Sequence, residues 1–499
     1  MYFLGYDLGS SSLKACLIEA DTGQILASTS APDTEMTISS PQAGWAEQDP
    51  HLWWEHLKTA TRKLWQKARI DHSSIKAIGV AYQMHGLVVL DKNQEVLRPS
   101  IIWCDSRAIA QGQAAIQALG DTYCYEHLLN RPGNFTAAKL RWVKENEPEL
   151  YERIFKIMLP GDYLAFRLSG QINTTNTGLS EGIFWDYQRQ DLADKLLDYY
   201  QIDPHLLPEI VEVFAEQGQL QANAAQELGL APGTPISYRA GDQPNNAFSL
   251  NVLHPGEVAT TAGTSGVIYA VSDQAIGDPQ SRINTFVHVN HQKAHPRYGL
   301  LLCINGTGIL NNWLRKHLQS PQGSPLDYAQ MNARAAEIAI GSEGLCFLPF
   351  GNGAERVLGN RPLGASLHHL DLNRHHTGHL CRAGQEGIVF ALRYGFEVFQ
   401  ELGQETKLIR AGWSNMFQSP VFAEAFVNSL GVRLELYNTD GAQGAARGAG
   451  LGIGYYANPK EAFQGLTCLQ SQEPEPDKVK IFEDAYQAWR KELDHQLNT

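Results

Sequence analysis

One short pattern occurs twice, and the two occurrences constrain the architecture more tightly than any other feature. Asp7-Leu8-Gly9-Ser10-Ser11-Ser12-Leu13 is echoed by Thr261-Ala262-Gly263-Thr264-Ser265-Gly266-Val267, at positions 7 and 261, 254 residues apart in a chain of 499. Each copy is a small, hydroxyl-rich turn between apolar β-type runs and reads as a strand–turn–strand hairpin. A single Gly-Ser turn is commonplace. Two of them opening two nearly equal halves imply a duplicated domain. The boundary is expected near 243–255, giving an N-terminal domain over 1–245 and a C-terminal domain over 246–499.

The surrounding pattern is α/β. Residues 2–6, 13–19 and 24–30 read as consecutive strands. Asp49-Pro50 supplies an N-cap and first-turn proline for a helix with Leu52, Trp53, Leu57, Ala60, Leu64 and Ala68 on one stripe. Strands follow at 75–81 and 87–91. Residues 120–235 read as mainly helical, and strand character returns from Pro235. Helical stripes lie at 384–402 and 420–430. The Glu-Pro-Glu-Pro stretch at 470–477 reads as a linker, followed by a terminal helix over 478–497 with Ile481, Ala485, Trp489 and Leu493 on its stripe.

Composition removes several function classes. With 40 Lys+Arg against 53 Asp+Glu, the formal charge is −13. No basic cluster is visible in the sequence, so a nucleic-acid partner is not expected. The N-terminus lacks a basic region ahead of its apolar residues and places an acid at Asp7, unlike a signal peptide. The longest uncharged stretch, 298–314, is broken by three asparagines, so no membrane span is expected. Seven cysteines without any CxxC spacing suit a reducing cytoplasm. His375, His376 and His379 lack the HExxH context of a metal site and read as a polar helix start.

Walker and GxGxxG motifs are absent. Phosphate binding is therefore expected from the hairpins, whose glycines permit close approach and whose amides and hydroxyls face an anion. Asp7 ends an apolar strand beside those amides, where Mg²⁺ would compensate its charge; a turn-capping role is the plainer alternative. Lys14 is either a phosphate cation or a solvated strand residue. Asp242 in Gly241-Asp242-Gln243-Pro244 is either a helix N-cap or a general base for phosphoryl transfer, and the sequence alone does not choose. Gln83-Met84-His85-Gly86 and Trp103-Cys104-Asp105-Ser106-Arg107 bring polar groups to strand ends, where α/β proteins bind ligands. Taken singly, His85 reads more readily as a structural histidine and Asp105–Arg107 as a local ion pair.

These residues, with Trp45-Ala-Glu-Gln-Asp-Pro-His51, Phe135-Thr-x-x-Lys-Leu-x-Trp142, Leu159-Pro-x-Asp-Tyr-Leu164, Phe347-Leu-Pro-Phe350, Glu355-Arg356, Glu386-Gly387 and Gly444-Ala-Ala446, resemble in order the FGGY carbohydrate kinases, and within them the xylulose-kinase branch. The resemblance implies an actin-like ATPase fold, with two ribonuclease-H-like domains around a nucleotide cleft. It implies ATP-dependent phosphorylation of a sugar hydroxyl, with Asp242 as base and both Asp7 and Asp242 near Mg²⁺. Gly9, Ser10, Ser11, Lys14, Gly263, Thr264 and Ser265 would then meet phosphates. Gly412, Trp413 and Asn415 would meet the nucleoside. Met84, His85, Trp103, Asp105 and Asp242 would line the sugar pocket. D-xylulose is the implied substrate, with L-xylulose, ribulose or gluconate as alternatives. A nucleotide-gated regulatory protein of the actin type and a catalytically dead relative are the competing readings. A homodimer stays open.

The chain departs from the family pattern in three places. Arg410-Ala411-Gly412-Trp413-Ser414-Asn415 stands where relatives carry Gly-Gly-Gly-Ala, Gln243-Pro244 follows Asp242 where Asn is common, and Asn352-Gly353-Ala354 replaces the usual loop before Glu355.

Overall fold

The computed structural model describes residues 1–319 and 323–498. Its frame is two mixed sheets with matching topology. The six-stranded sheet runs Phe214–Gln219, Pro235–Gly241, Ile75–Tyr82, Tyr2–Leu8, Leu13–Glu19, Ile25–Ala31. The seven-stranded sheet, taken from the corresponding edge, runs Cys468–Gln472, Leu434–Tyr437, Leu408–Gly412, Glu257–Ala262, Gly266–Ser272, Tyr298–Ile304, with Asn284–Val287 added outside. In both, the edge strand pairs antiparallel, the next two pairings are parallel, and the two after them are antiparallel. The hairpin repeat is thus the visible end of a whole-domain duplication.

The packing does not follow one cut in the chain at 245/246. The helix Asp242–Ser249, which follows the sixth and last strand of the first sheet in chain order, packs Ala247 and Leu250 against Ala259, Tyr269 and Val271 of the second sheet. Its counterpart Gly441–Gly452 returns to the first sheet, where Ala442, Ala445, Ala446 and Ala449 meet Phe3, Cys16 and Ala77. The approach is close enough that a Cβ on Gly5 would overlap the Ala442 carbonyl, and one on Gly79 the Ala445 carbonyl. The two helices also cross each other, Gly444 resting on Ser249 and Asn245. Each half therefore lends a helix to the other, and the cleft lies at the first turns of those helices.

Several expectations change. Within 120–235, helices are interleaved with short strands: Lys156–Met158 pairs with Val88–Leu90, Asn173–Thr175 with Glu209–Val211, and Trp185–Asp186 with Asp191–Leu192. Two- and three-residue strands carry no readable period. The 470–477 stretch is not a linker. Cys468–Gln472 pairs with Leu434–Tyr437 as a sheet edge, and Pro476 opens the terminal helix Pro476–Asn498, where its missing N–H costs nothing. That helix buries Phe482, Tyr486, Trp489 and Leu493, while Ile481 is 47% exposed, so the true stripe is turned from the expected one. The first-turn expectation at Asp49-Pro50 holds, Asp49 Oδ1 accepting from His51 N at 2.9 Å. His376 caps the helix Thr377–Glu401, accepting from Gly378 N. No helix among the described residues is long and apolar enough to cross a membrane, and all seven cysteines are free thiols.

Candidate active site

Two acids, one on a helix and one on a strand, meet the first turns of the two crossing helices. Asp242 is the first residue of its helix, where the partial positive charge of unpaired amides favours a carboxylate. Asp7 ends its strand with its carboxylate pressed against Gly441, at the first turn of the other helix. Removal from water pushes the Asp242 carboxyl up to about 7, and the nearby Asp7 charge adds to the effect. Burial pushes Asp7 up to about 6, Lys14 opposing and Asp440 reinforcing the shift. Two acids that raise their own proton affinity at neutral pH mark a site prepared for a proton or a cation.

The carbonyls of both hairpins are engaged by the protein, and of the turn amides Gly9 N is engaged as well. Ser12 O accepts from Gly9 N, Ser11 O from Met36 N, and Ser10 O from Gln48 Nε2. In the second hairpin, Gly263 O accepts from Gly308 N at 2.9 Å and Thr264 O from Ile309 N at 3.1 Å. Tying the carbonyls back leaves the turn amides other than Gly9 N to face an anion, the arrangement that makes a phosphate cradle. The second hairpin closes on the same cleft, since the Ser265 side chain bonds the Cys303 thiol and Asp242 lies within electrostatic reach of that thiol.

Met84 and His85 sit in the turn after the strand Ile75–Tyr82. Met84 packs on Gly241, next to Asp242. His85 has positive φ (62°) and bonds Glu181 O through Nδ1 at 2.9 Å. Its ring lies between Phe135 of the first half and Phe286 of the second, at centroid distances of 4.9 and 5.3 Å. Burial, with Lys139 adding, drives His85 down to about 3, so it is a neutral hydrogen-bonding group at pH 7. Trp103 is 43% exposed on the neighbouring loop.

Asp105 is placed differently from the expectation. It is fully buried, and both oxygens are engaged: Oδ2 accepts from Ala46 N at 2.6 Å, and Arg107 donates its N–H, Nε and Nη2 to the carboxylate. Arg107 in turn pairs with Glu47 at 2.8 Å and lies 3.8 Å over the Trp45 ring. This is the local ion pair, and neither carboxylate oxygen is left without a protein donor.

On the other side of the cleft, Asn415 approaches Gly263 and Gly412 approaches the Thr439 carbonyl, so the 410–415 stretch does stand beside the second hairpin. Trp413 N donates to Tyr437 O and its side chain is 40% exposed, leaving a ring face open to stack on a ligand. Lys14 pairs across the strands with Asp7 and borders an open groove of about 560 Å³ along the sheet edge, where Lys63 and Lys67 cover the Ser30 and Ser28 carbonyls. Covering an edge strand with lysines is a common protection against strand addition.

The FGGY carbohydrate kinase N-terminal domain model matches residues 2–249, and the C-terminal domain model matches 258–452. The chain belongs to the FGGY family of carbohydrate kinases. It is 29% identical to the xylulose kinase of Escherichia coli (strain K12), covering 98% of each chain. It is 28% identical to that of Bacillus subtilis (strain 168), covering 100% of this chain and 98% of the other. The crystal structure of xylulose kinase from Rhodospirillum rubrum superposes with a TM-score of 0.87 at 26% identity over 100% of both chains. The fold is the two-domain, actin-like fold of sugar kinases, and the chain is a phosphotransferase with an alcohol acceptor.

Two groups in this FGGY kinase's cleft escape a reading from sequence. Lys139 is fully buried, donating to His85 O at 2.8 Å and Ile102 O at 2.9 Å; it ties the His85 turn to the Trp103 loop. Burial holds its ammonium down to about 7. Its signals were its place in the Phe135-Thr-x-x-Lys-Leu-x-Trp142 motif and on the buried face of the helix Thr136–Asn146, neither of which gave it a role. Glu181, also buried, stands against Gly241 so closely that a Cβ there would come within 2.5 Å of its Oε2. Nothing in its local sequence pointed to the cleft.

Proposed function

We propose that this kinase transfers the γ-phosphoryl group of ATP to a terminal hydroxyl of a pentulose, converting D-xylulose to D-xylulose 5-phosphate. The observation that carries the reading is Asp242: a half-buried carboxyl, tuned to the neutral range, within electrostatic reach of Asp7 and next to Gly241, on which Met84 packs. A base so placed reaches a sugar hydroxyl while the hairpin amides hold the phosphates. The similarity to xylulose kinases supports the choice of sugar.

Asp7 and Asp242 also fit Mg²⁺. Two buried amide oxygens beside them, Gln243 Oε1 and Asn245 Oδ1, have no protein donor. No cluster of three His, Cys, Asp or Glu residues suited to an ion occurs among the described residues. Mg²⁺ does not require one, being held by one or two carboxylates together with substrate phosphates. When bound, it supplies charge neutralisation to the phosphate oxygens.

Asp242 accepts the hydroxyl proton as the sugar oxygen attacks the γ-phosphorus and the bond to the β-phosphate oxygen breaks. Met84 and His85 orient the sugar, the two hairpins align the phosphates, and closure of the halves excludes water. Positioning and charge stabilisation carry most of such a reaction, because the protein forms no covalent bond.

A coupled ADP-release assay over D-xylulose, L-xylulose, ribulose and gluconate tests the reading. D-xylulose is expected to give the highest kcat/KM; sugar-independent hydrolysis alone would instead mark a regulatory ATPase. The pH profile is a second test. Because Asp242 must be ionised to act and titrates near 7, kcat/KM for the sugar should fall about tenfold per pH unit below that value. A profile flat from pH 8 to 5 would remove Asp242 from the base role.

A further inference from the structure

Arg356 reaches the sugar side of the cleft from the second half of the chain. Its guanidinium carbon is 5.9 Å from the Phe135 ring centroid, and its charge acts on His85 across the cleft. The adjacent acid is unavailable to it, because Glu355 accepts from Asn305 N and Gly306 N at 2.9 Å each. Among the described residues Arg356 forms no ion pair, and the Cys303 thiol is its one charge-compensating neighbour. The groups it meets across the cleft are the Phe135 ring and His85, which is neutral at pH 7. Arg356 is partly exposed, and a guanidinium with no counter-charge keeps N–H donors available to a ligand.

We propose that Arg356 is the second domain's contact to the sugar, donating N–H groups to hydroxyl and carbonyl oxygens of the ketose opposite His85. Sugar binding then compensates a charge the apo protein leaves exposed to an aromatic and thiol environment, and so favours closure of the second half onto the first. The inference rests on the kinase reading above, and it makes Arg356 a specificity residue for substrates with several oxygens within reach of a planar fork.

The test compares wild type, Arg356→Met and Arg356→Lys as full chains, by kinetics and by thermal unfolding with and without D-xylulose. Losing a charge-assisted hydrogen bond raises KM about tenfold to a hundredfold. The Met variant should show that rise for D-xylulose and a smaller change for ATP, with Lys restoring part of it. The Met variant should also lose the D-xylulose-induced rise in unfolding temperature, while unfolding at or above the wild-type temperature in the apo state. An apo midpoint below wild type with an unchanged sugar KM would make Arg356 structural and overturn the proposal. So would a rise confined to the ATP KM. If wild type neither binds nor turns over any sugar of the panel, the substrate reading fails, and the apo midpoint of the Met variant still decides: a drop overturns the role given to Arg356.

Discussion

Asp242→Asn is expected to lower kcat by about two to four orders of magnitude while leaving D-xylulose and ATP bound, as measured by coupled ADP release alongside calorimetry. The substitution is close to isosteric and keeps an oxygen at the first turn of the helix Asp242–Ser249, so the crossing of that helix with Gly441–Gly452 is not disturbed. What it removes is the proton acceptor. The sign of the pH effect follows from the same group. The wild type loses rate as Asp242 is protonated below about 7, whereas the residual activity of the Asn variant should no longer carry that titration. A variant that keeps full rate, or one whose residual rate still falls through the same pH, would show that another group takes the proton. Binding measured in parallel separates this from a loss of fold.

The frame was legible because its signal was repeated. Two Gly-Ser/Thr turns, each between apolar runs, announced a duplicated hairpin, and the matched pairing patterns of the two sheets bear that out. What escaped was the exchange between the halves. The helix Gly441–Gly452 carries small residues because it lies directly on strands and on the helix Asp242–Ser249, but small residues in a helix do not say which sheet receives them. The Glu-Pro-Glu-Pro stretch misled for a related reason. Prolines that interrupt a strand also open a helix, and only the neighbouring strand Leu434–Tyr437 decides that residues 468–472 form an edge.

At the site, turn residues were legible and helix-borne ones were not. Gly9, Ser10, Gly263, Thr264, Met84, His85 and Asp242 lie in or just after strand ends, where a polar residue interrupts an apolar run and stands out. Lys139 and Glu181 lie on helices, where a charged residue is ordinary, and only burial distinguishes them. Arg356 was visible as part of a motif, but its missing counter-ion is a property of three dimensions.

Asp105 is the sharpest case, and its replacement separates a structural acid from a sugar ligand. Asp105→Ala is expected to destabilise the protein by about 3–5 kcal/mol, because it leaves the buried Arg107 guanidinium short of a partner. Glu47, 2.8 Å from Arg107, keeps part of the compensation and places the cost toward the lower figure. The Ala46 amide would also lose its acceptor. Below the unfolding transition, the folded fraction should retain a sugar KM within a few fold of wild type, since no oxygen of Asp105 is free to meet a ligand. A urea titration with KM measured in the native baseline checks both halves. Asp105→Leu combined with Arg107→Met should recover much of the stability, because removing both charges leaves neither stranded. A large rise in sugar KM at unchanged urea midpoint would return Asp105 to the pocket wall. A fall in midpoint that the double substitution relieves assigns it to the floor that supports Trp45 and the strand end carrying Trp103.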